Sequence, residues 1–282
     1  LCLLLVRGHG VSNAIKSKSM LSEEAGLNSA LEAAGVQPVE TDLGEYILQI
    51  NDNELPSHII APAIHKTREE VAELFERVHH RPRKTDIAEM TREAREMLRA
   101  HFLSAEMGIS GGNFLVAETG SVALVTNEGN GRMVTTLPKV HVVITGVEKV
   151  IPTLEDLATL MRILPRSATG QTISNYFSVL TGVKRPEDTD GPEHLYFILV
   201  DNGRVDLVGA RRRERLETRQ RERGLRERVG ALERQRGDPG DLERGDDRFL
   251  VWRFDDQVGI SHVRKFVGDL LGERGSSELH GV

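Results

Sequence analysis

The sequence predicts an α/β fold, in which a sheet is flanked by helices, followed by an irregular or helical charged C-terminal tail. Between Val11 and Arg204, short β-branched and apolar runs alternate with stretches whose apolar residues recur at helical spacing. Several of the short runs are almost continuously apolar, which is typical of strands that are covered on both faces. After Arg204 the composition changes toward arginine. We therefore predict a domain over residues 1–204, with an incomplete N-terminal end, and a tail over residues 205–282.

The spacing of apolar residues predicts four helices in this domain. The first begins at Ser22, carries apolar residues at positions 27, 30, 31 and 34, and ends at Gly35. The second begins at Thr67 with a capping box, and the third spans about residues 86–102. The fourth begins at Thr153 and ends before Pro165, because proline within a helix removes a backbone hydrogen bond.

Short apolar runs between these helices predict the strands. They cover residues 36–40, 58–61, 113–117, 121–126, 141–145 and 194–200. Residues 16–20 lie at a further junction between a strand and a helix. The sheet that these strands form should be sandwiched by the helices.

The tail has a different composition from the domain. Residues 211–236 contain eleven arginines, five glutamates and no lysine, a local net charge of +6. Apolar residues are too sparse there to bury much surface, so we expect a poorly packed helix or disorder. Residues 249–254 form a short apolar patch that predicts one isolated strand. An alternative is that the tail is an RNA-binding arm, which would bind with a strong dependence on salt.

Charge and cysteine content exclude several classes of function. The net charge of −6 argues against a domain that binds nucleic acid along its whole surface. Cys2 is the single cysteine, so no intrachain disulfide can form and four thiolates for an iron–sulfur cluster are not available. No apolar run approaches membrane-spanning length, and the run at residues 1–6 is too short for a signal sequence. We therefore expect a fragment or processed product of a cytoplasmic protein, without membrane contact.

Three polar stretches interrupt the apolar runs where strands should end. The first stretch, residues 16–20, predicts an anion site, because two lysines and two hydroxyls lie beside a helix N-terminus. The second stretch, residues 111–113 with 117–121, places a carboxylate and hydroxyls in a tight connection between two strands. The third stretch, residues 126–132, could form an anion-binding nest of backbone N–H groups. The candidate ligand-binding residues are Lys16, Ser17, Lys18 and Ser19; Gly112, Asn113, Glu118, Thr119 and Ser121; and Asn127, Glu128, Asn130 and Arg132.

Each of these stretches also has a purely structural interpretation. The lysines of the first can be ordinary surface residues, and Glu118 can cap a turn by accepting backbone N–H groups. The third stretch can be a plain glycine-rich hairpin loop. Taken together, the three stretches predict one pocket at an edge of the sheet, with Arg166 and Gln171 nearby. His65 lies in a loop and could face a ligand, but the histidines lack metal-ligand spacing.

At several motifs the chain resembles the lactate utilisation protein B family, whose members carry a LUD (lactate-utilisation) domain. The resemblance runs from about Lys16 to Arg204 and departs from the family pattern at both ends. The motifs are residues 16–20 with Glu24, Gly26, Leu27 and Asn28, then residues 40–45, 56–59, 62–65, 117–121, 127–132 and 164–171.

This resemblance implies a fold related to the NagB/RpiA/CoA-transferase group, and a cytoplasmic complex that oxidises L-lactate to pyruvate with electron transfer. It also implies other subunits of that complex as partners, and two [4Fe–4S] clusters in a region that the arginine-rich tail replaces here. We therefore expect no cofactor or metal in this chain, no identified catalytic residue, and a small anionic ligand, carboxylate or phosphate. The alternative is a CoA- or nucleotide-binding module of the same fold without redox activity.

Overall fold

The computed structural model describes residues 1–58, 61–126, 128–174 and 176–204, and the backbone of residues 249–254. Ten strands lie within these ranges. In chain order they are β1 Asn13–Lys16, β2 Gln37–Glu40, β3 Met107–Ser110, β4 Phe114–Val116, β5 Ser121–Val125, β6 Val140–Gly146, β7 Val150–Ile151, β8 Phe177–Thr181, β9 His194–Val200 and β10 Phe249–Phe254.

Eight α-helices occupy the same ranges, together with a 3-10 turn at Val147–Lys149. The helices are α1 Cys2–His9, α2 Met20–Glu24, α3 Leu27–Ala33, α4 Leu43–Ile50, α5 Arg68–His79, α6 Ile87–Ser104, α7 Asn130–Thr136 and α8 Leu154–Thr169. Among the described helices, none combines the length and apolar content that crossing a membrane requires.

The strands form two sheets. The larger has the order β10-β9-β6-β3-β1-β2, and every neighbouring pair is parallel except β9 with β10. The smaller has the order β7-β4-β5-β8 and is mostly antiparallel. A parallel-dominated sheet needs helices on both faces, since crossover connections must pass over it. The α/β prediction is therefore confirmed.

Alternate residues of the large sheet face different layers. One face packs against α1, α2 and α3 through side chains such as Ala14 and Ile109. On the other face, Ile15 and Val39 pack against α4, α5, α6 and α7. Farther along that face, Val143 packs against the small sheet, whose outer surface is covered by α8. The fold thus leaves the carboxyl ends of the parallel strands as the edge where loops from several layers meet.

Most predicted strands are present, with small changes of boundary. The predictions at residues 36–40, 113–117, 121–126, 141–145 and 194–200 correspond to β2, β4, β5, β6 and β9. For the prediction at 58–61, residues 59 and 60 lie outside the described residues, and the Ala61 N–H donates to His58 Nδ1 at 3.1 Å. The patch at 249–254 does form a strand, but it is not isolated, because β10 pairs with β9 along six residues. The predicted helix or disorder at residues 205–248 lies outside the described residues.

The helix predictions need two corrections. Thr67, Asp86 and Thr153 cap α5, α6 and α8 as predicted. The first predicted helix is instead two helices: Ser19, not Ser22, caps α2, and Gly26 in a left-handed conformation (φ 63°) separates α2 from α3. The fourth helix continues through Pro165 to Thr169 and ends at Gly170.

The glycine-rich third stretch is a helix start rather than a hairpin loop. Gly129 has φ −76°, outside the left-handed region that a nest requires, and α7 begins at Asn130. Gly131 lies so close to Thr126 that a Cβ would fall 2.4 Å from Thr126 Cγ2. Glycine is therefore needed here for a close approach, not for a turn. Asn127 lies outside the described residues.

Candidate functional site

The carboxyl ends of β1, β2 and β3 bring the first polar stretch next to the chain that leaves β2. The Ser17 N–H donates to the Ile109 carbonyl at 2.9 Å, and the Thr41 N–H donates to the Lys16 carbonyl at 3.0 Å. These bonds continue the parallel pairing by one residue beyond each strand. Residues 16–19 and 40–42 are therefore held on rigid backbone at one edge of the large sheet.

Lys16 is buried at this edge and does not act as a surface cation. Its side chain is fully inaccessible, and its Nζ lies 2.5 Å from Oε1 of Glu40. The Asn28 amide donates to the same Glu40 oxygen at 2.8 Å. A buried lysine requires such an anionic partner, because an unpaired charge away from water is costly. The interpretation of Lys16 as an ordinary surface lysine is therefore wrong.

Two further carboxylates share the environment of this ion pair. Burial, together with the charges of Glu23 and Glu40, raises the pKa of Glu45 on α4 to about 7, although the charges of Lys16 and Lys18 act to lower it. Burial also raises the pKa of Glu23 on α2, with Lys16 acting against it and Glu40 with it. The charges of Lys16, Lys18 and Glu40 thus act on both Glu23 and Glu45.

The acceptors in this region outnumber the donors. Four buried oxygens have no hydrogen-bond partner from the described protein: Glu23 Oε1, Asn28 Oδ1, Glu40 Oε2 and Glu45 Oε1. We call the five residues Lys16, Glu23, Asn28, Glu40 and Glu45 the carboxyl-end cluster. Buried acceptors without a donor are uncommon in folded proteins, so the carboxyl-end cluster is the strongest indication of a ligand site on this edge.

Other candidate residues surround the carboxyl-end cluster. Ser19 caps α2 and lies against Gly111, where a Cβ would be 3.3 Å from Ser19 Oγ. Lys18 is half-buried, and the Gly112 carbonyl accepts from the Thr145 hydroxyl at 2.8 Å.

The start of α7 reaches the same edge. The Asn130 amide donates to Thr41 Oγ1 at 3.2 Å. Loss of solvation, together with the charge of Asp42, raises the pKa of Glu128. Arg132 follows on α7 with an exposed side chain. The structure therefore brings the first stretch and the described part of the third together.

The second stretch serves the small sheet. The Asn113 N–H donates to the Ala123 carbonyl, and its Oδ1 accepts from the Val125 N–H at 2.8 Å. Glu118 Oε2 accepts from the Leu154 N–H at 3.0 Å, at the first residue of α8. This bond supports the interpretation of Glu118 as a backbone cap, with the carboxylate near a helix N-terminus where negative charge is favoured.

The remaining candidates lie in three other surroundings. The hydroxyls of Thr119, Ser121 and Thr181 form a chain with distances of 2.7 and 2.6 Å. His65 is exposed and bonds to Ser57 Oγ at 2.7 Å and Glu54 Oε1 at 2.8 Å. Arg166 and Gln171 are exposed near the end of α8, where Arg166 lines a surface cavity of about 520 Å³. A single pocket that unites them with Lys16 stays a prediction.

Sequence reasoning missed the acidic members of the carboxyl-end cluster as site residues. Glu40 could have been found, since it ends a buried parallel strand next to the one that ends at Lys16. Glu45 could not, because α4 was not predicted and the burial of its face depends on the sheet below.

The described residues do not fit a cysteine-ligated cluster. Cys2, buried in α1, has a thiol pKa raised to about 11 by burial, which disfavours the thiolate that a metal needs. Within residues 1–58, 61–126, 128–174 and 176–204, no group of three or more His, Cys, Asp or Glu side chains is arranged to hold a metal ion.

Comparison with known proteins identifies the family. The LUD domain profile matches residues 7–200, which include every strand from β1 to β9. The chain belongs to the LUD domain family. The resemblance noted from the motifs is confirmed over this region, and the carboxyl-end cluster lies entirely within the LUD domain.

Three curated relatives show how far the similarity extends. "Lactate utilization protein B" of Geobacillus kaustophilus (strain HTA426) is 50% identical over 195 residues, which cover 69% of this chain and 41% of the relative. The protein of the same name from Bacillus licheniformis is 49% identical over 196 residues, with the same coverage, and that from Shouchella clausii (strain KSM-K16) is 48% identical over 205 residues, covering 73% and 43%. The chain thus spans about two fifths of the length of these relatives.

One solved structure was also found. A DUF162 family protein from Deinococcus radiodurans aligns with 62% of this chain and 81% of its own chain, at 14% identity and a TM-score of 0.26.

Proposed function

We propose that this chain is the LUD-domain portion of a lactate utilisation protein that works within a complex oxidising L-lactate to pyruvate. The observation that carries the proposal is identity of about one half, continuous over about 195 residues, to proteins named for lactate utilisation. Two domains that share about half of their residues normally have the same core and the same ligand site. The other subunits of the complex are the proposed partners, and the cytoplasm the proposed location.

The proposed division of labour follows from the chemistry of the described residues. Lactate is a small carboxylate with a hydroxyl on the neighbouring carbon, so its site needs a cation and a hydrogen-bond acceptor. At the sheet edge, the half-buried Lys18 is the proposed cation, and the oxygens of the carboxyl-end cluster are the proposed acceptors. The electrons released by the oxidation must pass to a redox centre outside this chain, because the single cysteine, Cys2, does not provide one.

The alternative is a CoA- or nucleotide-binding module of the CoA-transferase-like fold. In that case Glu118 would act on a carboxylate or thioester. The hydrogen bond from the Leu154 N–H to Glu118 Oε2 instead commits one carboxylate oxygen to the start of α8. The first proposal therefore has the stronger support.

A domain exchange tests the proposal. In Bacillus licheniformis, the 196 matched residues of its lactate utilization protein B would be replaced by those of this chain, in a strain that lacks the unmodified protein. We expect growth on L-lactate as the main carbon source to be retained. Glucose-grown cultures and immunoblots of the exchanged protein serve as controls.

Two variants of the exchanged protein link growth to the site. Lys16→Met removes the buried cation of the carboxyl-end cluster and should abolish growth on L-lactate. Lys139→Met, at a lysine whose side chain is 76% exposed, should leave growth unchanged. An exchanged protein that accumulates normally but does not support growth on L-lactate would contradict the proposed function.

A further inference from the structure

The carboxyl-end cluster requires hydrogen-bond donors that the described protein does not provide. Glu40 is 3% exposed and Glu45 is 7% exposed, yet each has one oxygen without a partner. Glu23 and Asn28 add two more such oxygens from α2 and α3. Leaving a buried acceptor unsatisfied costs about 1–3 kcal/mol. Four such oxygens on the residues of one cluster indicate that a group bearing O–H or N–H donors belongs there.

The charge of this region determines which end of a ligand can enter. Lys16 forms its ion pair with Glu40, and the charges of Lys16, Lys18 and Glu40 act on both Glu23 and Glu45, so three possible negative charges meet two positive ones. A second anion pushed into this surplus of carboxylates would be repelled. A neutral hydroxyl meets no such repulsion, and its O–H group can donate a hydrogen bond to a carboxylate oxygen.

We propose that Glu45 recognises the hydroxyl of a 2-hydroxycarboxylate in this domain, through its buried oxygen that has no partner from the described protein. This assignment depends on the proposed function and deepens it. The ligand enters hydroxyl first and donates to Glu45 Oε1, while its carboxylate stays on the outer side of the site, away from the three carboxylates. Lys16 holds Glu40 in place through the 2.5 Å ion pair, and the Asn28 amide holds the same oxygen.

This arrangement predicts a specific pattern of discrimination. Propionate has the size and charge of lactate but no hydroxyl, so the acceptor oxygens would stay unsatisfied. Pyruvate presents a carbonyl oxygen, which places an acceptor against acceptors. Sites built to hydrogen-bond a substrate hydroxyl reject analogues that lack it by large factors. We expect L-lactate to bind about tenfold or more tightly than either analogue, by the same principle.

Calorimetric titration of the full chain with L-lactate, propionate and pyruvate measures this. The titrations are made at pH 8, where Glu45, with its pKa of about 7, is mostly ionised and can only accept. Glu45→Leu removes the acceptor and should reduce the preference for L-lactate over propionate to about twofold or less, the level expected when no hydroxyl contact remains. Glu32→Gln, at an exposed glutamate on α3, is the matched control and should keep the preference. Thermal melting verifies that each variant is folded.

The outcomes separate this inference from the proposed function. Equal affinity for L-lactate and propionate in the unmodified chain, or a preference that survives Glu45→Leu, overturns the inference. Absence of binding by all three acids overturns it as well. In the exchanged Bacillus protein, undiminished growth on L-lactate with Glu45→Leu overturns the inference while the proposed function stands. Failure of the exchanged protein without that substitution overturns the proposed function itself.

Discussion

At the scale of single residues, Glu45 couples the candidate site to stability. The folded state raises its pKa to about 7 from the usual 4.5, so below pH 4.5 the carboxyl is protonated in both the folded and the unfolded state. Between these values the folded state retains a proton that the unfolded state has lost. The free energy of unfolding therefore falls as pH rises toward 7 and stays reduced above it.

Glu45→Gln should remove this fall in the free energy of unfolding at higher pH, because the amide does not ionise. We expect the free energy of unfolding of the variant, relative to the unmodified chain, to rise between pH 5 and pH 8 by on the order of 2–3 kcal/mol. Urea denaturation at several pH values measures the difference. A difference for Glu45→Gln that does not change with pH would contradict the prediction.

Glu93 shows the opposite behaviour of a buried carboxylate. Burial acts to raise its pKa, but hydrogen bonds from Lys84 and His79 outweigh burial and lower it. Its two oxygens lie 2.7 Å from Lys84 Nζ and 2.9 Å from His79 Nδ1, and His79 Nε2 in turn bonds to the Tyr46 hydroxyl. Both oxygens of the ionised Glu93 carboxylate therefore have a partner, and the network connects α4, α5 and α6.

Glu93→Gln should lower the free energy of unfolding by about 3 kcal/mol, because breaking a buried ion pair leaves its partner without compensation. The matched control is Glu96→Gln, three residues on along α6. Its ion pair with Arg81 is on the surface and should contribute less than about 1 kcal/mol. Chemical denaturation at pH 7 compares the two, and similar losses for both would show that the network around Glu93 adds nothing.

At the scale of elements, the position of α7 over β3 depends on Gly108. A Cβ on this residue would lie 2.0 Å from the carbonyl oxygen of Val134 in α7. The helix and the strand are therefore in backbone contact, which sets the position from which Asn130 reaches Thr41. Glycine in a strand often marks such a close approach.

Gly108→Ala should force α7 away from the sheet and lower the free energy of unfolding by about 3 kcal/mol or more. Gly129→Ala is the control, since a Cβ there meets nothing within 4 Å and φ is −76°. Its effect should stay within about 1 kcal/mol. Thermal melts of the two variants test this, and a mild effect of Gly108→Ala would mean that α7 can shift without cost.

At the scale of the whole molecule, the described domain and the tail are connected through β10. Residues 249–254 pair with β9 in antiparallel register from Phe249 with Val200 to Phe254 with Leu195. The arginines that precede β10 offer many tryptic sites. The two features together predict how the chain responds to partial digestion.

Brief treatment with trypsin should first cut between Arg211 and Arg248 and leave a stable core that ends near Arg204. Because β10 extends the large sheet, the piece that contains it should remain bound to the core under native conditions. Gel filtration of the nicked protein, followed by mass spectrometry of the peak, measures this. If trypsin cuts residues 211–248 no faster than it cuts the core, the predicted boundary is wrong. If the piece that contains β10 separates from the core during gel filtration, the pairing of β10 with β9 is contradicted.

Local signals in the sequence were sufficient for much of the fold. Capping residues placed the starts of α5, α6 and α8, because a cap depends on only three or four neighbouring residues. Apolar runs placed β2, β5, β6 and β9 for the same reason. The pattern did not reveal α4 or α7, since these short helices are stabilised by the sheet on which they pack more than by their own propensity.

The sequence by itself determined the α/β class, the LUD resemblance and the polar stretch at Lys16. Only the tertiary structure decided that Lys16 is a buried partner of Glu40, and that Glu45 on α4 is buried where the charges of that ion pair act on it. The physical reason is that burial and charge coupling depend on which strands are neighbours. The order β10-β9-β6-β3-β1-β2 joins residues far apart in the chain, and no local pattern records it.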